Sequence, residues 1–221
     1  MPQDNTPARC RIVLVVPPRL PSAEAVALLD AALRAGDVAS LIVPSPEGDP
    51  AAAQKRAEAI VALAQPLGVA VVVADELRVA MRAGADGVHA EGGAAALADL
   101  IDRAQGRVMV GAGGAKTRHD ALELGETQPD YLFFGRFGHD EKPEPHPRNL
   151  SLGEWWSAMT EIPCIVQAGS DLEGLQAVAA TGTDFVALES AVFGQGLDPA
   201  ARIAEANRLL DLHAPAVEAL A

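Results

Sequence analysis

Apolar residues in this chain fall in short, nearly unbroken runs, separated by longer stretches in which Ala and Leu recur every third or fourth position. The runs are RIVLVV at 11–16, ASLIV at 39–43, VAVVV at 69–73, DGVHA at 86–90, RVMVG at 107–111, DYLFFG at 130–135, PCIVQAG at 163–169 and DFVAL at 184–188. Continuous rather than alternating apolar runs predict parallel strands covered on both faces. The stretches between them, such as AEAVALLDAALRAG, AAAQKRAEAIVALAQPLG and PAARIAEANRLLDLH, predict amphipathic helices. Ser22 and Asp171 stand where N-caps are wanted, and Gly36 and Gly68 where left-handed helix ends are.

Eight strands, each followed by a helix, predict one (β/α)8 TIM barrel spanning residues 1–221, with flexible tails at 1–9 and 213–221. An internal echo supports the count. AGADGVHAEGG (83–93) resembles TGTDFVALESA (181–191), closing the fourth and eighth units of a barrel built from two halves. The longest irregular stretch, GRFGHDEKPEPHPRN at 135–149, follows strand six on the side where barrel active sites form. A loop of that length is often an active-site lid, and a solvated excursion is the alternative.

Charge narrows the partners. A net charge of −13 and a pI near 4.7 oppose nucleic acid and anionic membrane surfaces. A small phosphate ligand is not excluded, because backbone N–H groups bind phosphate without net positive charge. Cys10 and Cys164 both fall beside or within strand runs and are expected as reduced, structural thiols. The segment MPQDNTPARC lacks the basic start and apolar run of a signal peptide, so a cytoplasmic location is expected.

Five segments carry a family resemblance: AGADGVHAEGG, GAGGAKTRHDA, QPDYLFFGRF, PCIVQAG and TGTDFVALESAVF. In spacing and residue type they resemble the thiamine phosphate synthases and their thiazole-tautomerase relatives, over about residues 11–200. The resemblance implies a transferase that joins an aminopyrimidine pyrophosphate to a thiazole phosphate with Mg2+, releasing pyrophosphate. Such a reaction needs carboxylates for Mg2+, cations and N–H donors for the leaving charge, and firm positioning of the two heterocycles.

Several positions match that family. Asp75, ending strand three, matches its first Mg2+ carboxylate; capping the next helix is the structural alternative. Lys142 lies within one residue of its loop lysine, and Arg136 adds a second cation after strand six; these are the catalytic candidates. Gly169 and Ser170 after strand seven, with Ser190 and Ala191 after strand eight, match its phosphate-binding turns.

Other positions depart from it. Ala94 stands where a second Mg2+ carboxylate is expected, and Glu91, three residues upstream, is the substitute candidate. Strand two presents Ile42, Pro44 and Pro46 in place of a Gln, an Arg and a Lys, and Ala74 replaces an Asn. Gly113, Gly114 and Ala115 replace a Ser/Thr-His pattern, which leaves His119 as a helix-surface residue. His89 is as readily structural as ligand-binding, and Trp155 and Trp156 read as packing residues on a helix capped by Ser151. His139, Asp140, Glu141 and His146 match no metal spacing.

The expected ligand is a small phosphorylated heterocycle. Two further readings stand beside the synthase: a non-catalytic paralogue binding a phosphorylated molecule or a partner protein, and a different phosphate-heterocycle enzyme using Glu91, Arg136, Gln167 and Glu189. The oligomeric state stays open, a homodimer included.

Overall fold

The computed structural model describes residues 9–44 and 49–212. Of the expected tails at 1–9 and 213–221, all but Arg9 lie outside the described residues, as does Pro46. Eight parallel strands close into a barrel in chain order: β1 (Arg11–Val15), β2 (Ser40–Val43), β3 (Ala70–Ala74), β4 (Gly87–Glu91), β5 (Met109–Gly113), β6 (Tyr131–Phe134), β7 (Cys164–Gln167) and β8 (Phe185–Leu188). Closure is the β8–β1 ladder, with Arg11 opposite Phe185 and Leu14 opposite Leu188. The helices are α1 (Ser22–Leu33), α2 (Pro50–Ala64), α3 (Leu77–Ala83), α4 (Ala94–Ala104), α5 (Arg118–Gly125), α6 (Pro147–Met159), α7 (Leu175–Ala179), α8 (Ser190–Phe193) and α9 (Pro199–Leu212).

The internal echo has a hydrogen-bonding cause. Gly84 and Gly182 turn the chain at positive φ (71° and 75°), and each is followed two residues on by an Asp that enters the next strand. Asp86 accepts the Val71 N–H at 2.8 Å, and Asp184 accepts the Cys164 N–H at 2.9 Å. Asp130, before β6, does the same for Val110 at 2.6 Å. Each carboxylate thus ties the start of an even-numbered strand to the strand before it.

Some boundaries differ from the sequence expectation. The fifth run begins two residues later than 107 because the Arg107 N–H still bonds back to Ala104, ending α4, and pairing starts at Met109 opposite Gly87. Helix α6 begins at Pro147, inside the stretch read as wholly irregular; proline suits the first helical position, where no N–H is needed. Its cap is His146, whose Nδ1 accepts the Arg148 N–H at 3.2 Å, so Ser151 is interior to the helix. Ser22 is the first residue of α1 rather than its cap. Asp171 holds a turn by accepting the Leu172 and Glu173 N–H groups, four residues before α7. Gly68 has the expected left-handed conformation, at φ 77°.

Two apolar clusters result. The larger lies between strands and helices and includes Trp156, whose Nε1 donates to the Ile162 carbonyl at 2.8 Å. The smaller fills the barrel: Val13, Val15, Ile42, Val72, Tyr131, Phe133, Ile165 and Ala187, with Phe137 and Phe185 against them. Large rings fit inside because glycines face them. A Cβ on Gly111 would lie 1.9 Å from the Tyr131 ring, and one on Gly113 would lie 2.8 Å from His89 Nε2. Gly111→Ala is therefore expected to overpack the interior and lower stability by about 1–3 kcal/mol. Chemical denaturation measures this, and an unchanged midpoint would mean the Tyr131 ring does not fill that space.

Candidate active site

The ends of β3 to β8 assemble a mouth whose sides differ in charge. Asp75 follows β3 in a left-handed conformation (φ 62°), unusual for a residue with a side chain and a typical place for stored strain. Its N–H donates to the His89 carbonyl at 2.7 Å, and its Oδ1 accepts the Glu91 N–H at 3.3 Å. It does not cap α3, whose N-cap is Glu76 with no side-chain bond. The turn therefore brings the carboxylates of Asp75 and Glu91 to one place. Partial burial, and then the Asp75 charge, raise the Glu91 pKa, while Arg136, His139 and Lys116 oppose the rise.

Glu91 shares a cavity of about 300 Å3 with Lys116, Arg136 and Arg148. Lys116 follows β5, Arg136 follows β6 and Arg148 sits in the first turn of α6. Sequence reasoning singled out Arg136 but missed Lys116 and Arg148. Their common cavity arises only when two βα loops and a helix start converge. Lys142 lies elsewhere, lining a second cavity of about 370 Å3 with His139, Gln167 and Gly169. The two catalytic candidates, Arg136 and Lys142, are thus not brought together. On the strand-two side Ile42 is buried in the barrel interior and Pro44 is also buried, so neither offers a polar group to a ligand.

The centre of the mouth is filled by the segment after β6. Phe137 sets its ring 5.1 Å from His89 and 5.0 Å from Phe133. The Arg136 N–H donates to Gln167 Oε1 at 2.6 Å, and the Gly138 N–H donates to Glu189 Oε2 at 2.8 Å. Asp140, only 6% exposed, accepts from Ser190 N at 2.7 Å and from Ser190 Oγ at 2.8 Å. The Ser170 N–H donates to the Lys142 carbonyl at 2.7 Å, and its hydroxyl donates to the Glu141 carbonyl at 3.3 Å. A Cβ on Gly169 would lie 2.1 Å from the Pro143 carbonyl oxygen, so glycine is what lets the loop seat this closely. The turns at Gly169, Ser170, Ser190 and Ala191 are therefore in contact with the chain itself.

Beneath this segment lies a polar layer. His89 is fully buried, with Nδ1 3.0 Å from the Tyr131 hydroxyl, and burial pulls its pKa down to about 3. Burial holds the Tyr131 hydroxyl well above the usual phenol range. Glu189 is pushed up to about 7, by burial first and by Asp140 besides, against the Gly138 hydrogen bond. His89 Nε2 and Gln167 Nε2 are buried with no hydrogen-bond partner.

The remaining candidates have structural surroundings. His119 is exposed on α5 beside Glu123 at 3.6 Å, Trp155 lies under the Arg118 guanidinium, and His146 caps α6. Cys10 and Cys164 are free thiols, with burial raising both pKa values, Cys10 to about 12. Among the described residues no group of three or more His, Cys, Asp or Glu is placed to hold a metal. No described helix is long and apolar enough to cross a membrane.

Comparison with known proteins agrees with the barrel. The chain is 30% identical over 202 residues to a thiamine-phosphate synthase of Rhodospirillum centenum, covering 91% of this chain and 98% of that protein. It is 31% identical over 209 residues to the thiamine-phosphate synthase of Hyphomonas neptunium, covering 92% and 95%. A solved thiamine phosphate pyrophosphorylase from Pyrococcus furiosus superposes with a TM-score of 0.78 at 20% identity, covering 94% of this chain and 98% of that one. A family profile described as thiamine monophosphate synthase matches residues 12–192, all eight strands but for the first residue of β1, and the chain belongs to that thiamine phosphate synthase-like family.

Proposed function

We propose that this mouth takes a small phosphorylated heterocycle and holds its charged end on the β4–β6 side. The observation that carries the reading is the meeting of Glu91 with Lys116, Arg136 and Arg148 around one cavity, with Asp75 hydrogen-bonded to the Glu91 N–H. In a chain of net charge −13, cations from three separate segments line that cavity beside a carboxylate. Strand two lacks the polar anchors expected of a synthase, and the cations after β5 and β6 offer an anion the opposite wall instead.

In the synthase reading, the carbon–oxygen bond to pyrophosphate breaks and a bond to the thiazole nitrogen forms. Arg136 and Lys116 would face the departing charge, with Lys142 approaching from the loop. Gly169, Ser170, Ser190 and Ala191 would hold the second substrate's phosphate once the loop has lifted from them. Asp75 and Glu91 are the residues that would hold Mg2+. Two carboxylates suit an ion that takes its remaining ligands from substrate phosphates and water, and that ion would neutralise pyrophosphate charge. A binding-only role is the second reading, favoured by the loop that fills the mouth and by the aliphatic wall at Ile42.

Calorimetric titration of pyrophosphate with thiazole phosphate, with and without Mg2+, tests the site, and a synthase assay separates the two readings. Arg136→Ala is expected to weaken pyrophosphate binding about tenfold, the scale of one charge-assisted contact. Unchanged affinity would remove this wall as the anion site, and thiazole phosphate binding without product formation would select the binding-only role.

Glu189 is the buried mouth carboxyl held near neutrality. Its folded pKa of about 7 lies above its usual 4.5, so the fold binds an extra proton between those values. Its contribution to stability is full below about 4.5, declines as pH rises through about 7, and is then lost. Glu189→Gln is expected to flatten that decline in denaturation curves taken from pH 5 to pH 8; an undiminished slope would assign the decline to other groups.

A further inference from the structure

We infer that the segment Phe137–Asp140 is a built-in occupant of the ligand space, and that Asp140 decides whether the β8 turn at Ser190 accepts a phosphate. The inference rests on the phosphorylated-heterocycle reading above and adds an internal competitor to it.

Three features of the segment resemble a ligand rather than a cover. Its aromatic ring enters the interior cluster, tilted against His89 and set edge-on to Phe133. Its carboxylate, three residues on, is buried and takes both polar groups of Ser190, the N–H and the hydroxyl. Between them the Gly138 N–H, at positive φ (70°), meets the Glu189 carboxylate. A ring joined to an anion by a short spacer is the outline of an aromatic phosphate ester. The next residues complete the seating, with the Glu141 and Lys142 carbonyls accepting from Ser170.

The polar layer below gives an independent sign that the occupant is a substitute. His89 packs on the Phe137 ring and Gln167 Oε1 accepts the neighbouring Arg136 N–H, yet the Nε2 of each is left without a partner, although the two residues are 0% and 4% exposed. A buried polar group without a partner costs about 1–3 kcal/mol, so native chains seldom retain two in one layer. Phe137 presents only carbon to His89. A heterocycle with ring nitrogens or a polar substituent would supply partners that phenylalanine lacks. Asp140 likewise gives two oxygens where a phosphate gives more, and it brings a charge close to Glu189, which helps to hold the Glu189 proton.

The consequence is a preset competition. A phosphate ligand must displace the Asp140 carboxylate before it meets Ser190, and the Glu141 and Lys142 carbonyls that follow it before it meets Ser170, so apparent affinity is reduced by the fraction of molecules in which the segment is seated. Asp140→Ala removes the competitor. Asp140→Asn keeps its shape and one acceptor oxygen but removes its charge, and so controls for loss of folding.

The test is an NMR titration of the full chain with inorganic phosphate and with phenyl phosphate, following the amide signals of Ser170 and Ser190. Asp140→Ala and Asp140→Asn are expected to bind inorganic phosphate at least about tenfold more tightly than wild type, the gain when a competent state rises from about a tenth of the molecules to nearly all. In the double variant Phe137→Ala, Asp140→Ala, phenyl phosphate is expected to bind more tightly than inorganic phosphate, because its ring enters the vacated space. Equal affinities in wild type and both single variants, with the two serine amides shifting, would overturn the internal competitor and leave the phosphate turns standing. Absence of those shifts in every protein would overturn the phosphate reading and the competitor with it.

Discussion

A small barrel must be closed at its seam and filled inside, and in this chain both requirements meet at the mouth. The β8–β1 ladder leaves no sheet edge. Once the strands are closed, side chains that face inward have only one another to pack against. Here Val13, Val15, Ile42, Val72 and Ile165 are aliphatic, while the β4–β6 side carries His89, Tyr131 and Phe133. Glycines at 111, 113 and 135 surrender the space those rings occupy. The rings on one wall and the glycines on the next are therefore a single packing solution.

That solution shapes the chemistry above it. An aromatic floor excludes water, which depresses the His89 pKa and raises that of Glu189. It also offers the rings of His89 and Phe133, against which Phe137 packs tilted and edge-on while the residues after it reach the β7 and β8 turns. The cationic wall at Lys116, Arg136 and Arg148 remains open beside it. The mouth is thus divided: one half is filled by the chain's own ring and carboxylate, and the other presents charge to solvent.

Family membership and this division answer different questions. The match across residues 12–192 covers nearly all of the barrel. It does not dictate how the mouth is furnished, because a fold carries its chemistry in a few side chains at loop ends. Ile42 belongs to the interior packing and Ala94 merely starts α4, so neither position supplies a polar group to the mouth. Lys116 lies within one of the segments that carry the family resemblance and Arg148 within none, and only the fold brings both to the charged cavity.

What the sequence determined by itself was whatever depends on local pattern. The unbroken apolar runs led to eight covered parallel strands, and the Gly-x-Asp echo located paired units before its hydrogen bonds were visible. Gly169, Ser170 and Ser190 stood out in the sequence by residue type, but what each of them touches lies far along the chain. Tertiary structure decided what depends on distance along the chain. Asp140 and Ser190 are 50 residues apart, and His89 and Tyr131 are 42 apart. Asp75 and Glu91 meet only because the β3–β4 ladder aligns Ala74 with His89. Even the start of α6 turned on context, since Pro147 breaks a helix when interior and begins one when first. Periodicity records which face of an element is buried; only closure of the barrel brings loop ends together and decides which charges face one another.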